Sequence, residues 1–479
     1  MPQHPLNVNN EAVLAKIISF TAFKNAANNN SLKPFPCRFT RNQLRKSELK
    51  RKDTEERLKA EVAALQQELV VLNQSRKSRQ SCVGAPPSPF PKLVVVTGIG
   101  LVSSLGANLE DSWQQLIAGK SGIQWYQPFP ELEAYPLGLI GKQPAELKIL
   151  TQQVVDSALK DAGLVAPLPD CAVVIGSSRS FQGAWELLAQ QMYGYNPRQT
   201  SLNTGEVVIE DWLNYLPHMN AIAAARQIGA TGIVLAPMAA CATGIWAIAQ
   251  AALLIKTGQC QRAIAGAVEA PITPLTLSGF QQMGALAKTG AYPFDLRREG
   301  LVLGEGAAVF VLESAELARQ RQAKIYGEVL GFGLTTDAYH TNQLDPTGKS
   351  AIAAVQQCLK QSSLTPADID YIHAHGTATQ LNDRIESKLI QRLFPHQVAV
   401  SSTKGSSGHT LGASGALGIA FSLLALQQKI LPPCVGLQTP EFDLNLVMAA
   451  RQSEIQRVLC FSFGFGGQNA VVALGIAKC

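Results

Sequence analysis

Three side chains stand out for what they could do chemically: a cysteine, Cys241, and two histidines, His375 and His409. Each sits in a run of small residues between a strand-like and a helix-like stretch: Ala239-ACATG, Tyr371-IHAHGTATQLND and Ser401-STKGSSGHTLGASG. A thiol at a strand-to-helix turn has the makings of a nucleophile. The positive end of the helix favours the thiolate, and free backbone N–H groups nearby can hold an oxyanion. Histidines at other strand ends can supply ring N–H groups or accept protons. Taken singly, each has a plainer reading. A cysteine in an apolar run packs as a small hydrophobe, and a histidine in a turn is a satisfied structural residue. A metal site is the rival for the set, but no HxxxH or CxxC spacing supports one, and His373 points away from His375 if both lie on a strand.

The elements that must position these groups follow from patterning. Residues 233–255 carry no charge, which first suggests a membrane span. Pro237, Thr243, Gly244 and Gln250 interrupt the run, and its halves differ. Ile233-VL is β-branched and suits a buried strand, whereas Gly244–Ile255 is Ala- and Leu-rich and suits a helix buried nearly all round. The segment Ser414-GALGIAFSLLALQQK has the same texture as Ala242-TGIWAIAQAALLIK. Both follow a strand and a turn bearing a reactive residue, which predicts two related α/β halves with central buried helices. Further helices are expected at 107–119, 144–163, 219–227, 349–362 and 383–393. Strands are expected from Leu93, Cys171, Arg262, Ile325, Tyr371 and Val398, and residues 301–314 read as a hairpin-like strand pair. Leu93-VVVTGIGLVSSLG lacks GxGxxG spacing, so a dinucleotide site is not expected.

Composition limits the function classes. The 479 residues are 46% hydrophobic and 16% charged, as in a large, well-buried α/β protein. The net charge of +6 belongs to one end. Residues 1–92 hold 16 of the 41 basic and 7 of the 35 acidic residues, which leaves the body slightly acidic. Nucleic-acid binding by the body has no support. The nine cysteines show no paired spacing, which points to a reducing compartment. No secretory signal or integral membrane segment is expected, so the location reads as cytoplasmic, or plastid if residues 1–47, with seven basic residues and only Glu11 acidic, act as a transit peptide. Leu58, Val62, Leu65, Leu69 and Leu72 mark a short amphipathic helix within 48–75, and Ser81-CVGAPPSPFP is a Pro-rich linker. That helix offers a different class of function, a partner-binding or scaffolding module.

Ala240-CATG, His375-GT followed by Asn382-Asp383, Lys404 with Gly408-His409, and Ser462-FGFGGQN occur in an order that resembles the elongating β-ketoacyl-acyl carrier protein synthases, the Cys-His-His members of the thiolase superfamily. Val96-TGIG, Leu303-GEGA and Thr336-DAYH match as well, so the resemblance spans about 93–479. It implies a five-layer α-β-α-β-α sandwich of two similar halves, 93–325 and 326–479, behind an N-terminal extension at 1–92, and a homodimer. The implied reaction is decarboxylative condensation of malonyl-acyl carrier protein with an acyl group held on Cys241, extending fatty acyl chains by two carbons. The same chemistry in polyketide or specialised-lipid synthesis is the alternative.

By that resemblance Cys241 is the nucleophile, His375 and His409 assist decarboxylation and hold the enolate, and Lys404 supplies positive charge and orients the His409 turn. Glu386 and Asp383 order the centre. Phe465 lends its N–H to an oxyanion hole and its ring to a gate, with Phe463 beside it. No metal and no diffusible cofactor is implied, because phosphopantetheine belongs to the acyl carrier protein. Thiolases place a second cysteine where Gly464-FGGQN stands here, and chain-starting synthases pair His with Asn; both differ from this sequence. Gln380, Ser407 and Gln468 depart from common family residues. Lys288, Arg297 and Arg298 are the basic candidates for carrier docking.

Overall fold

In the computed structural model, residues 92–192 and 209–477 are described. The N-terminal extension, including the helix expected at 48–75 and the segment 1–47, lies outside them. Eleven strands form one mixed sheet. Val94–Ser103 (β1), Ala172–Gly176 (β2), Val234–Leu235 (β3), Arg262–Glu269 (β4) and Gly306–Ser314 (β5) come first in the chain. Gly327–Thr336 (β6), Tyr371–His373 (β7), Ala399–Ser401 (β8), Asn445–Leu446 (β9), Arg457–Gly464 (β10) and Gln468–Gly475 (β11) follow. The spatial order is β9-β8-β7-β10-β11-β6-β1-β5-β4-β2-β3.

A repeat is visible in this order. From the middle outwards, β1-β5-β4-β2-β3 runs through two antiparallel and then two parallel pairings. β6-β11-β10-β7-β8 does the same in the other direction. The two sets meet in a short antiparallel join, Val95 opposite Glu328 and Val96 opposite Gly327.

Side-chain alternation explains the layers. Along β5, Ala308, Phe310 and Leu312 enter one core while Ala307, Val309 and Val311 enter another. Along β11, Ala470, Val472 and Leu474 enter that same first core while Val471 and Ala473 face a third. A strand with both faces apolar must be covered on both sides. Helices Leu147–Asp161 (α1) and Met219–Ile228 (α2) cover the outside of the first strand set. Lys349–Gln361 (α4) and Gln380–Leu393 (α5) cover the outside of the second. Between the sets lie Thr243–Lys256 (α3) and Ser414–Gln428 (α6), the two apolar helices whose shared texture the sequence displays. This is the expected five-layer arrangement. The helices cross closely, since a Cβ on Gly244 would stand 2.6 Å from the Ala416 nitrogen. The stretch 411–428 is long and apolar enough to cross a membrane by length and composition, yet 89% of it is buried inside the protein.

Two expectations need correction. Residues 301–314 are not a hairpin: only Gly306–Ser314 is a strand, while Leu301 and Leu303 make isolated bridges to Leu286 and His409. The Gly-rich stretch after β8 is not a plain turn either, as it holds a short helix at Lys404–Ser407 and a 3-10 turn at Leu411–Ala413.

Candidate active site

The elbow forms where β3 gives way to α3. Ala240 takes a left-handed backbone with φ 46°, unusual for a residue with a side chain, and Cys241 follows it. Thr243 braces the bend: its hydroxyl accepts the Ala239 N–H at 2.9 Å and donates to the Ala240 carbonyl at 2.7 Å. From the far half, Ser462 on β10 donates its hydroxyl to the Cys241 carbonyl at 2.7 Å. The backbone of the thiol turn is thus held from both sets of strands.

The histidines arrive from the second half. His375 lies just beyond β7, where its N–H is accepted by Glu386 Oε1 at 2.6 Å and the Gly376 N–H by Glu386 Oε2 at 2.7 Å. Glu386 projects from the buried face of α5, with Asp383 one turn earlier. Asp383 accepts the Phe294 N–H at 2.8 Å, and Asn382 donates to both carboxylates, at 3.1 Å to Asp383 and 3.3 Å to Glu386. The Lys404 ammonium donates to the His375 carbonyl, and the Lys404 carbonyl accepts the Gly408 N–H at 3.0 Å, so one residue ties both histidine turns together. His409 is pinned on its backbone by Val302 and Gly304, at 2.6 and 3.0 Å, which explains why Leu303-GEGA accompanies the histidine motif. Its ring is set by a 2.8 Å hydrogen bond between Nδ1 and the Ser414 hydroxyl.

These elements bring Cys241 Sγ, a nitrogen of His375 and a nitrogen of His409 within 4.8 Å of one another. The two imidazoles stand edge to face, with centroids 5.4 Å apart, and Phe463 packs edge-on against His375 at 6.0 Å. All three reactive groups line a pocket of about 320 Å³, together with Phe280, Phe463, Phe465, Gln380, Leu381 and Asn382. His373 takes no part: it faces α6 and Cys460 and bonds to the Thr403 hydroxyl at 3.1 Å.

Electrostatics decide the resting state. Burial pushes the Cys241 thiol up to about 11, against the pull of Lys404 and of the Phe465 backbone N–H. The lowered thiol expected from the helix end is therefore corrected: with the thiol buried, the desolvation of a thiolate outweighs the favourable helix end. Burial, with Lys404 beside them, holds His375 and His409 well below the usual histidine range, so both are neutral at pH 7. Among the described residues, His375 Nδ1 is buried without a hydrogen-bond partner. Burial also lowers Lys404, opposed by Glu386 and Cys241. It raises Glu386, opposed by the N–H groups that this carboxylate accepts, and lifts Asp383 to about 6.

Phe465 stacks on Phe280 at 6.0 Å and is followed by Gly466 and Gly467, both with positive φ. A Cβ on Gly464 would lie 3.0 Å from the Cys241 nitrogen, so only glycine lets this turn come so near the thiol. Phe280, from helix Pro274–Gln282, was not expected at the site; the stretch carries no reactive residue to draw attention. Of the docking candidates, Arg298 must be corrected. It is 1% exposed, paired with Glu441 and 3.8 Å from Asp383, and is part of the interior. Arg297 is engaged by Asp295 at 3.0 Å.

A mixed sheet of two repeated halves with a Cys-His-His pocket between them defines a condensing-enzyme architecture of the thiolase type. Residues 145–318 match the β-ketoacyl synthase N-terminal domain and 326–438 the C-terminal domain, and the chain belongs to the β-ketoacyl synthase family. It is 36% identical over 420 residues to a putative mitochondrial 3-oxoacyl-[acyl-carrier-protein] synthase of Schizosaccharomyces pombe, covering 79% of this chain and 98% of that protein. It is 34% identical over 414 residues to 3-oxoacyl-[acyl-carrier-protein] synthase 2 of Coxiella burnetii, covering 80% and 98%. Among solved structures it resembles a type II polyketide ketosynthase in complex with its acyl-carrier protein and bound to a hexaketide, with a TM-score of 0.75, 27% identity, and coverage of 81% and 100%.

Proposed function

We propose that this chain is an elongating 3-oxoacyl-acyl carrier protein synthase in which Cys241 is the nucleophile and His375 and His409 serve the condensation. The observation that carries the reading is the meeting of one thiol and two neutral imidazoles within 4.8 Å. In the first half-reaction Cys241 sulfur attacks the thioester of an acyl-carrier protein. A sulfur–acyl bond forms, the acyl–pantetheine bond breaks, and the thiol proton passes to the departing pantetheine sulfur. The N–H groups of Cys241 and Phe465 hold the oxyanion.

In the second half-reaction malonyl-carrier protein loses CO2. The electron pair left on the α-carbon attacks the Cys241 thioester, a carbon–carbon bond forms, and the cysteine sulfur leaves and takes up a proton. The enolate oxygen formed in between needs N–H donors that do not themselves carry charge, and two neutral imidazoles in a water-poor pocket provide them. Lys404, Glu386 and Asp383 are positioning residues that act through the backbone of the histidine turns. Phe465, between its glycines, is the gate between thiol and acyl chain, with Phe463 supporting the ring of His375.

The halves are 93–325 and 326–479, and the working unit is a homodimer. The β3 edge supports this, because among the described residues the outer side of that strand has no neighbour, and Ile233 and Met238 beside it are 37% and 54% exposed. The cytoplasmic location stands as part of the proposal; its rival is delivery to an organelle, which the basic segment 1–47 and the mitochondrial name of one relative favour. The likeness to a polyketide ketosynthase favours a second reading of the same chemistry on longer, oxygenated chains. Turnover of malonyl-carrier protein with a panel of acyl-carrier proteins separates the two. Saturated acyl primers yielding one two-carbon extension per turnover support fatty-acid elongation. Repeated extension without reduction supports the polyketide reading, and no condensation with any primer refutes both.

A further inference from the structure

A charge that the chemistry above does not use lies against the gate. Phe465 stacks on Phe280 at 6.0 Å, and the Arg179 guanidinium lies over the Phe280 ring, 5.6 Å from its centre. Cys241, Phe280 and Phe465 belong to one apolar cluster with Leu277 and Leu411. Burial dominates the Cys241 thiol, yet the Arg179 charge stands close enough to pull it the other way. The loop that carries Arg179 is firmly built, for it winds around the buried Glu269 carboxylate at the end of β4. Glu269 accepts the Ser177 hydroxyl at 2.8 Å, the Ser178 N–H and hydroxyl at 2.7 and 2.6 Å, and the Arg179 N–H at 3.0 Å. Its fifth donor is the Gly412 N–H at 3.0 Å, from the 3-10 turn between His409 and Ser414. The backbone of Arg179 is therefore fixed in register with a histidine turn. Its side chain is half-buried and, among the described residues, in no ion pair. A ring face compensates a desolvated cation only in part. What remains is a need for acceptor oxygens, which a guanidinium takes two at a time in a planar fork.

We propose that Arg179 makes a polar subsite at the gate, which selects acyl groups whose chain carries an acceptor oxygen, a carboxylate or a ketone, over plain alkyl chains. The proposal rests on the acyl-enzyme reading above and narrows its substrate class. An acyl chain on Cys241 that passes the gate runs along Phe280, and its oxygen meets the guanidinium stacked on that ring. A hydrocarbon in the same place seals the cation from water without giving it a partner, and is disfavoured for that reason. Arg179 takes no part in making or breaking bonds; it determines specificity.

The test is a competition between primers, read as acyl adducts on Cys241 by mass spectrometry. The full chain receives equal amounts of hexanoyl- and adipoyl-carrier protein, or of hexanoyl- and 5-oxohexanoyl-carrier protein. Octanoyl, suberoyl and 7-oxooctanoyl primers repeat the comparison at a second length. The unmodified chain is expected to load an oxygenated chain about tenfold or more over its alkyl counterpart, the effect of one hydrogen bond to a charged group. Preference for the dicarboxylic chains alone identifies an ionic partner, and preference for both kinds identifies any acceptor oxygen. In Arg179→Leu the ratio should fall to within about twofold of unity, with alkyl loading kept or raised. Arg179→Lys, which keeps the charge and loses the fork, should restore part of the preference for dicarboxylic chains. Alkyl chains preferred by the unmodified chain at both lengths, or an unchanged ratio in Arg179→Leu, overturn the subsite while the acyl-enzyme reading stands. No adduct on Cys241 from any primer refutes that reading, and the subsite with it.

Discussion

The Glu386 carboxylate holds the backbone N–H of His375 at 2.6 Å, with ten residues of turn and helix lying between the two. Its second oxygen holds Gly376 at 2.7 Å, so one buried acid fixes the path of the chain that carries the His375 imidazole.

Glu386→Ala leaves two buried N–H groups without acceptors and removes a counter-charge from Lys404. Unsatisfied buried donors cost about 1–3 kcal/mol each, and a broken buried charge cluster about 3–5 kcal/mol. The variant should lose at least about 3 kcal/mol of stability in urea unfolding. Glu386→Gln should lose less, because its carbonyl can still accept one of the two donors. Equal stability of all three proteins contradicts the role assigned to this carboxylate.

The 2.8 Å bond between Ser414 and His409 Nδ1 predicts a split between half-reactions. In Ser414→Ala the ring loses its anchor while the thiol turn is untouched. Condensation should fall by about tenfold or more, in line with the loss of one orienting hydrogen bond. Acyl transfer to Cys241, followed in a single turnover, should keep its rate within about twofold. A matched loss in both steps refutes the assignment of His409 to the second half-reaction.

The thiol at about 11 and the neutral histidines set the sign of the pH response. Only the thiolate reacts with iodoacetamide, and far below the thiol pKa its fraction rises tenfold per pH unit. Alkylation of Cys241 in the resting enzyme should therefore climb from pH 7 to 10 without a plateau. Lys404→Met, which removes a stabilising charge, should slow it throughout. A plateau near pH 7 means a preformed thiolate and contradicts the resting state described here.

Gly464→Ala places a methyl group 3.0 Å from both the Cys241 nitrogen and the Ala239 carbonyl. The turn must move back, taking the Phe465 N–H away from the oxyanion. Acyl transfer should fall by about a hundredfold, the loss of one oxyanion donor. Retained transfer rates would show that this turn does not bind the carbonyl.

Much of this site is readable in the sequence, for physical reasons. A reactive residue in a small-residue turn, placed between a β-branched run and an aliphatic helix, is a local pattern. The textures at 242–256 and 414–428 also reveal the repeat, because a helix buried all round permits few residue types. What stayed hidden depends on distant neighbours. The β10–β11 hairpin read only as a motif, since Gly464 to Gly467 mask the strands around them. Phe280 reaches the pocket through tertiary packing that no periodicity encodes. Arg298 looks like a surface charge until Glu441 and Asp383 are found beside it. The thiol shift runs against the helix-end expectation because the helix end is legible in the chain, whereas the burial of Cys241 is not.

The most direct test of the account is peptide mapping by mass spectrometry after brief incubation with octanoyl-carrier protein, in the unmodified chain and in Cys241→Ala. One octanoyl adduct is expected on the peptide containing Cys241, absent from the variant. An adduct on Cys434, Cys460 or any other residue, or one that survives in Cys241→Ala, contradicts it.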